Sequence, residues 1–336
     1  MAAFASKAVR GGIDDPQRIE ALLGAGAVHA AIPHSPAQDR LRPRPRPWLR
    51  ARTQTQTQAG GRGASAPASG LASALVLARA APDDAAAEGL RAFRAALQFA
   101  LPYNRNNVIS CLGPTRRVGA SFVSVNLALL MAAGGQRTLL IDADLRAGRL
   151  HDYFGVDCAG GLAECLAGEL PPHAALRRNV ADRLDFIARG GALPHQTELL
   201  QHRSLAGLLE ALGADYDVVL MTAPPVMAAA DALIVGAHAG AVFLVARAGL
   251  TTEAELEAAV KRLNRRGAAR RAVQRCVSAP ERPLGAASTS LPAASASAAS
   301  ASPAGMTAGV PVSPQSAGFR RYQNVFTEFF SKRIEL

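Results

Sequence analysis

Between residues 81 and 277, short apolar runs alternate with longer stretches whose apolar positions recur at helical spacing. The runs NVISCL (107–112), RTLLID (137–142), LDFIA (184–188), DVVLMT (217–222) and AVFLVA (241–246) have the length of strands. Helical patterns fall at 84–100, 120–134, 197–213, 228–237 and 251–266. Near-continuous apolar strands separated by helices predict a mostly parallel sheet covered on both faces, a doubly wound α/β domain. Such sheets bind ligands beyond the carboxyl ends of their strands, here 113–121, 142–146 and 222–226. The last apolar stretch, ARRAVQRCV, carries Arg271 and Arg275 where partly buried residues are expected, which predicts a weak or missing edge strand.

The flanks read differently. Residues 1–39 hold a short helical pattern, DDPQRIEALLG, followed by AVHAAIPHSPAQ. Arginine and proline alternate in RLRPRPRPWLRAR (40–52), an extended basic segment, and residues 53–70 have the composition of a linker, so 40–80 reads as basic and flexible. Residues 278–318 are rich in Ala, Ser and Pro and predict disorder. The tail 319–336 regains aromatic residues near helical spacing (Phe319, Tyr322, Phe326, Phe329, Phe330) and reads as a short amphipathic segment.

Charge narrows the class of partner without choosing one. The net charge is +11, and Lys7, Lys261 and Lys332 are the only lysines, so arginine carries the rest. A basic balance favours anionic lipid, nucleic acid or phosphorylated ligands. No base-reading motif accompanies the arginines, which argues against nucleic acid. In 40–52, Arg40, Arg42, Arg44, Arg46, Arg50 and Arg52 surround Trp48, a pattern suited to an anionic membrane surface. No run of about 20 apolar residues spans a bilayer and the N-terminus has no signal-peptide core, so the expected location is the cytoplasm, peripheral at the inner membrane. Cys111, Cys158, Cys165 and Cys276 form no C-x-x-C pair and read as reduced thiols. His151, His195 and His202 stand isolated.

The chemistry concentrates at the first strand end. In GPTRRVGAS (113–121), Gly119 and Ser121 match the G-K-[ST] end of the phosphate-loop pattern G-x-x-x-x-G-K-[ST], with Ala120 in the lysine position and Gly113 one residue further upstream than the pattern's first glycine. Ser121 reads equally as a contact for Mg2+ or as a hydroxyl at a helix start. Asp142 and Asp144, at the end of the second run, suit a metal ion or simple solvation. Glu88, Arg91 and Arg94 form one stripe about 130° from that of Leu90, Phe93 and Leu97, which reads as a solvated face.

Taken in order, these blocks resemble the cytoplasmic domain of bacterial tyrosine kinases (BY-kinases), the co-polymerase kinases of capsule and exopolysaccharide assembly. The resemblance rests on EGLRAFRAALQFAL, GPTRRVGASFVSVNLA, LLIDADLRAGRLHDYFG, LAECLAGEL, LDFIARG, ELLQHRSLAGLLEAL, YDVVLMTAPPV, DALIVGAHAGAVFLVARAGLTTEAEL and VKRL, roughly 84–265. It implies a P-loop NTPase-like domain over 81–277 and a juxtamembrane-like cytoplasmic segment over 1–39. It also implies ATP and Mg2+ as cofactors. Gly113, Gly119, Ser121, Arg116 and Arg117 would hold the nucleotide, Ser121, Asp142 and Asp144 the metal, with Asp142 or Asp144 as catalytic base.

The chain departs from the family where charge matters most. Arg116 and Arg117 replace Pro-Gly, Ala120 replaces lysine, and Thr222 stands where the third motif has aspartate before T-P-P. Arg117 therefore puts a Cβ where a permissive glycine is expected. The resemblance makes Glu88, Arg91 and Arg94 an oligomerisation surface, in homo- or hetero-oligomers with intact kinase or membrane co-polymerase subunits. Its tyrosine cluster is reduced to one tail phosphoacceptor candidate, Tyr322. The reading is a diverged member acting through partner binding, with weak or no kinase activity. The alternatives are a functional autokinase with a non-standard phosphate loop, a binding protein akin to partitioning ATPases, and a decaying or split gene product.

Overall fold

The computed structural model describes residues 12–24, 26–41, 75–100, 106–192, 196–201, 204–264 and 270–275. Trp48, Tyr322, the rest of the tail, the Ala/Ser/Pro-rich stretch and most of the arginine–proline segment lie outside the described residues. The elements are α1 (Pro16–Leu23), β1 (Val28–Ala31), α2 (Pro36–Leu41), α3 (Leu77–Ala80), α4 (Ala85–Ala100), β2 (Val108–Leu112), α5 (Ala120–Ala133), β3 (Thr138–Asp142), α6 (His151–Phe154), α7 (Leu162–Leu166), β4 (Arg177–Ala181) and β5 (Leu184–Ile187). They continue with α8 (Gln196–Gln201), α9 (Ser204–Gly213), β6 (Val218–Thr222), α10 (Asp231–His238), β7 (Ala241–Arg247), α11 (Glu253–Asn264) and β8 (Arg270–Arg275).

The sheet runs β1-β8-β7-β2-β6-β3-β5-β4, parallel throughout except for the β4–β5 hairpin. Side chains alternate along a strand, so each central strand feeds two cores. In β6, Val219 and Met221 join Leu208, Leu212, Val235 and Leu256, whereas Val218 and Leu220 join Leu90, Phe93, Val123 and Leu127. Helices thus cover both faces, as the apolar runs predict. Helix α5 is buried on nearly every side, and its one side-chain amide is hydrogen-bonded through both its nitrogen and its oxygen. Asn126 Nδ2 donates to Phe122 O at 2.8 Å, and Asn126 Oδ1 accepts the Ala78 N–H at 2.8 Å, tying α3 to α5. Burying one Leu or Phe here is worth roughly 1.5–3 kcal/mol, enough to fix α5 against β2, β3 and β6.

Two findings alter the sequence picture. The stretch ARRAVQRCV does form a strand: β8 pairs with β7 from Val242↔Arg270 to Arg247↔Arg275 and carries β1 on its other side. A ladder is made by backbone groups, and with a parallel neighbour on each side its arginines do not prevent pairing. Residues 12–41 are packed onto the same sheet. Asp15 caps α1 by accepting the Gln17 N–H at 2.9 Å, and Ile13, Ile19 and Ile32 are buried. Ile13 also exchanges backbone hydrogen bonds with the turn after β7, to Thr251 O (2.9 Å) and from Gly249 N (3.1 Å).

Candidate functional site

The loop 113–119 joins β2 to α5 at the carboxyl edge of the sheet, where the phosphate-loop pattern places it. It folds back on itself: a Cβ on Gly113 would lie 2.5 Å from Val118 Cγ2 and 2.9 Å from Thr115 O. Gly119 takes a left-handed φ of 102° as the N-cap of α5, with no side chain capping the helix. Its first-turn N–H groups are therefore left for solvent or an anion. Arg117 adopts φ 65°, the left-handed region its position demands. For a residue with a Cβ this costs about 1–2 kcal/mol. The conformation is held from across the sheet, where Arg247 Nη1 donates to Arg117 O at 3.1 Å. Arg116, Arg117 and Ser121 are exposed, and Val118 is buried.

Asp142 ends β3 and is only 1 % exposed. Its carboxylate accepts the Leu150 N–H at 3.0 Å, the Asp144 N–H at 3.3 Å and the Thr222 hydroxyl at 3.2 Å. Gly148 lies against it so closely that any Cβ there would collide with the carboxylate oxygens. Burial pushes the Asp142 carboxyl up to about 6, against the pull of those hydrogen bonds, and the nearby Asp144 charge adds to the rise. Thr222 is its register partner on β6 and is 4 % exposed. The position expected to carry a second carboxylate thus carries a neutral donor aimed at the first. Asp144 is half-buried, and its Oδ1 accepts the Ala147 N–H at 3.0 Å.

Arg189 and Arg247 are functional candidates that the motif reading passes over. Arg189, just beyond β5, clamps the Asp142 loop by donating to Gly148 O (3.1 Å) and Leu145 O (3.2 Å). The signal available was the rule already applied to other strands: each arginine lies at the carboxyl end of a parallel strand. Glu164 secures the Arg189 loop from below, accepting the N–H groups of Gly160, Gly161 and Gly191. Burial pushes its carboxyl up, but those backbone donors outweigh it and leave the group below its usual range. Arg146 pairs with the fully buried Asp231 at 3.1 Å.

Glu88, Arg91 and Arg94 share one side of α4, and each arginine has a partner within the chain. Arg91 donates to Glu88 (2.8 Å) and to Pro82 O (2.6 Å), and Arg94 donates to Leu130 O (2.9 Å) in the last turn of α5.

These residues fit a phosphate better than a divalent cation. Uncapped helix N–H groups and exposed arginines suit anionic oxygens. A bound Mg2+ needs carboxylate oxygens or ordered water. Here Asp142 is closed off, Asp144 is partly committed, and Thr222 brings no charge. Among the described residues, no group of three or more His, Cys, Asp or Glu comes together.

No family model matches the chain. Among solved structures, it is similar to the BceF tyrosine kinase domain, at 37 % identity and a TM-score of 0.65, over 80 % of this chain and 100 % of that one. It is also similar to the kinase domain of the Escherichia coli tyrosine kinase ETK, at 35 % identity and a TM-score of 0.61, over 74 % and 90 %. EpsB of Ralstonia solanacearum is 41 % identical over 264 residues, 78 % of this chain and 32 % of EpsB. The chain therefore spans about a third of the length of the curated relatives it matches. Among the described residues, no helix is long and apolar enough to cross a membrane.

Proposed function

The chain belongs to the bacterial tyrosine kinase (BY-kinase) family, and we propose that it serves there as a partner-binding subunit with weak or lost phosphoryl transfer. Its setting is the synthesis or export of an exopolysaccharide, the process in which the relatives' family works. The observation that carries the reading is the Thr222 hydroxyl donating to buried Asp142 where the family's motif has a carboxylate. The missing lysine at Ala120 adds to it. Phosphoryl transfer depends on positioning and on neutralising charge, and both motifs that supply the charge are changed.

Loss of the lysine contact removes about 1.5–3 kcal/mol, roughly 10- to 100-fold in affinity. Calorimetry with ATP and Mg2+ is expected to show no low-micromolar binding, and radiolabelled ATP no transfer to tyrosine. Ala120→Lys is expected to raise ATP affinity by about one to two orders of magnitude. Low-micromolar binding by the parent chain, with autophosphorylation, would replace this reading with that of a functional kinase bearing a non-standard loop.

Partner binding is assigned to the α4 stripe. Arg91→Glu is expected to lower the sedimentation coefficient of the chain, alone or mixed with an intact kinase, and to lower the unfolding midpoint only slightly, since the bonds it loses to Glu88 and Pro82 O are exposed. Arg94→Glu changes both, because it also removes the hydrogen bond to Leu130 O that caps α5. Unaltered sedimentation of Arg91→Glu in both settings would remove the stripe from the interface.

A further inference from the structure

The metal side of the site has lost charge, and the phosphate side has gained it. Towards β3 and β6, Asp142 is enclosed by three donors and Thr222 is neutral. Towards the loop, Arg116 and Arg117 are exposed, and neither side chain has a hydrogen-bond or ion-pair partner among the described residues. Arg247 brings a third guanidinium to the same loop, 3.1 Å from Arg117 O. Only one of its guanidinium N–H groups is engaged in that contact, so the fork retains donors for a ligand.

We propose that this loop holds a diphosphate or triphosphate group without a divalent cation, its charge met by Arg116, Arg117 and Arg247. The inference rests on the reading of a site that has given up transfer chemistry, and names the ligand class that such a site still takes. A guanidinium fork matches two phosphate oxygens at once, and it stays charged at any accessible pH. It cannot replace lysine inside the loop, since a planar fork is no substitute for a compact ammonium. The phosphates are therefore held at the rim of the loop, where water and salt compete. Binding is weak, salt-sensitive and indifferent to Mg2+. In an ordinary phosphate loop the cation bridges the phosphates to carboxylates, so its removal weakens binding.

The test uses the full chain with two probes, inorganic pyrophosphate and ATP, each titrated in excess Mg2+ and in excess EDTA at low and high salt. The dissociation constant in EDTA is expected to lie within about twofold of that in Mg2+ for either probe. Arg116→Gln and Arg247→Gln are each expected to weaken binding about tenfold. Arg116 has no partner among the described residues, so its variant keeps the inference testable if the Arg247 variant disturbs the loop. Binding that tightens tenfold or more with Mg2+ would overturn the inference, as would binding untouched by both substitutions. Absence of binding by either probe at millimolar concentration would overturn it too, while leaving the partner-binding reading intact. Tight Mg2+-dependent ATP binding with phosphate transfer would overturn both.

Discussion

Thr222→Asp, the substitution that restores the family's carboxylate, is expected to destabilise the ligand-free protein by about 3–5 kcal/mol at pH 7.5. The new carboxylate would replace a hydroxyl that donates to Asp142 Oδ1 at 3.2 Å, in a position 4 % exposed. A hydrogen bond is lost, and a second negative charge is buried beside the first. Two carboxyls sharing one site retain a proton between them, so the variant's proton affinity in the fold rises above that of the unfolded chain. The cost is therefore small at acid pH and grows as pH rises through neutrality. Urea unfolding of parent and variant at pH 5 and pH 7.5 measures it. An equal loss at both pH values would show that the added carboxylate avoids Asp142, and the account of this strand end would fall.

The parent chain carries a milder form of the same dependence. Asp142 is held at about 6 from an ordinary value of 3.8, with burial the largest cause. Between those values the folded protein keeps a proton that the unfolded chain releases. Stability from this group is complete below about pH 4 and is lost as pH rises through 6, about 3 kcal/mol in all. Asp142→Asn cannot titrate. Its amide also turns one acceptor into a donor facing the Leu150 N–H, a cost of about 1–3 kcal/mol that does not vary with pH. The parent's lead over the variant, about 1–3 kcal/mol near pH 4, is thus expected to fall by about 3 kcal/mol by pH 7, so that the variant becomes as stable as the parent or more stable. A gap that stays constant from pH 4 to 7 would mean that Asp142 titrates as an ordinary carboxyl.

Much of this was legible in the chain. The five apolar runs became β2, β3, β5, β6 and β7 to within a residue at each end, because fully buried parallel strands must be apolar on both faces. Helix α4 and helix α5 began and ended close to where periodicity places them. The 197–213 pattern resolved into α8 and α9. Strands β1 and β4 escaped, since VHAA and RRNVA are short, lie at the sheet's edges and lack a full apolar run. In the site, the strain at Arg117 followed from a glycine position filled by a residue with a Cβ, and its φ of 65° is the form it takes. The partnership of Thr222 with Asp142 could be anticipated only as a missing charge. That the two are register partners depends on β3 lying beside β6, which no local pattern states. The grip of Arg247 on Arg117 O joins residues 130 apart, and that of Arg189 on Gly148 O joins residues 41 apart. Contacts of that range come from topology alone.

Val28 on β1 pairs with Ala272 on β8, so β1 leaves the ribosome more than 200 residues ahead of the strand it pairs with. During synthesis β1 has no neighbour in the sheet, and once β8 emerges it is the strand that covers β8's open side. Closure of so long a loop is slow. Until it happens, β8 offers an unpaired ladder to any passing chain. A nascent chain released before β8, or one lacking β1, would be left with a bare sheet edge. Aggregation of either fragment would then come from the same unsatisfied backbone, although the two strands lost lie more than 200 residues apart in the sequence.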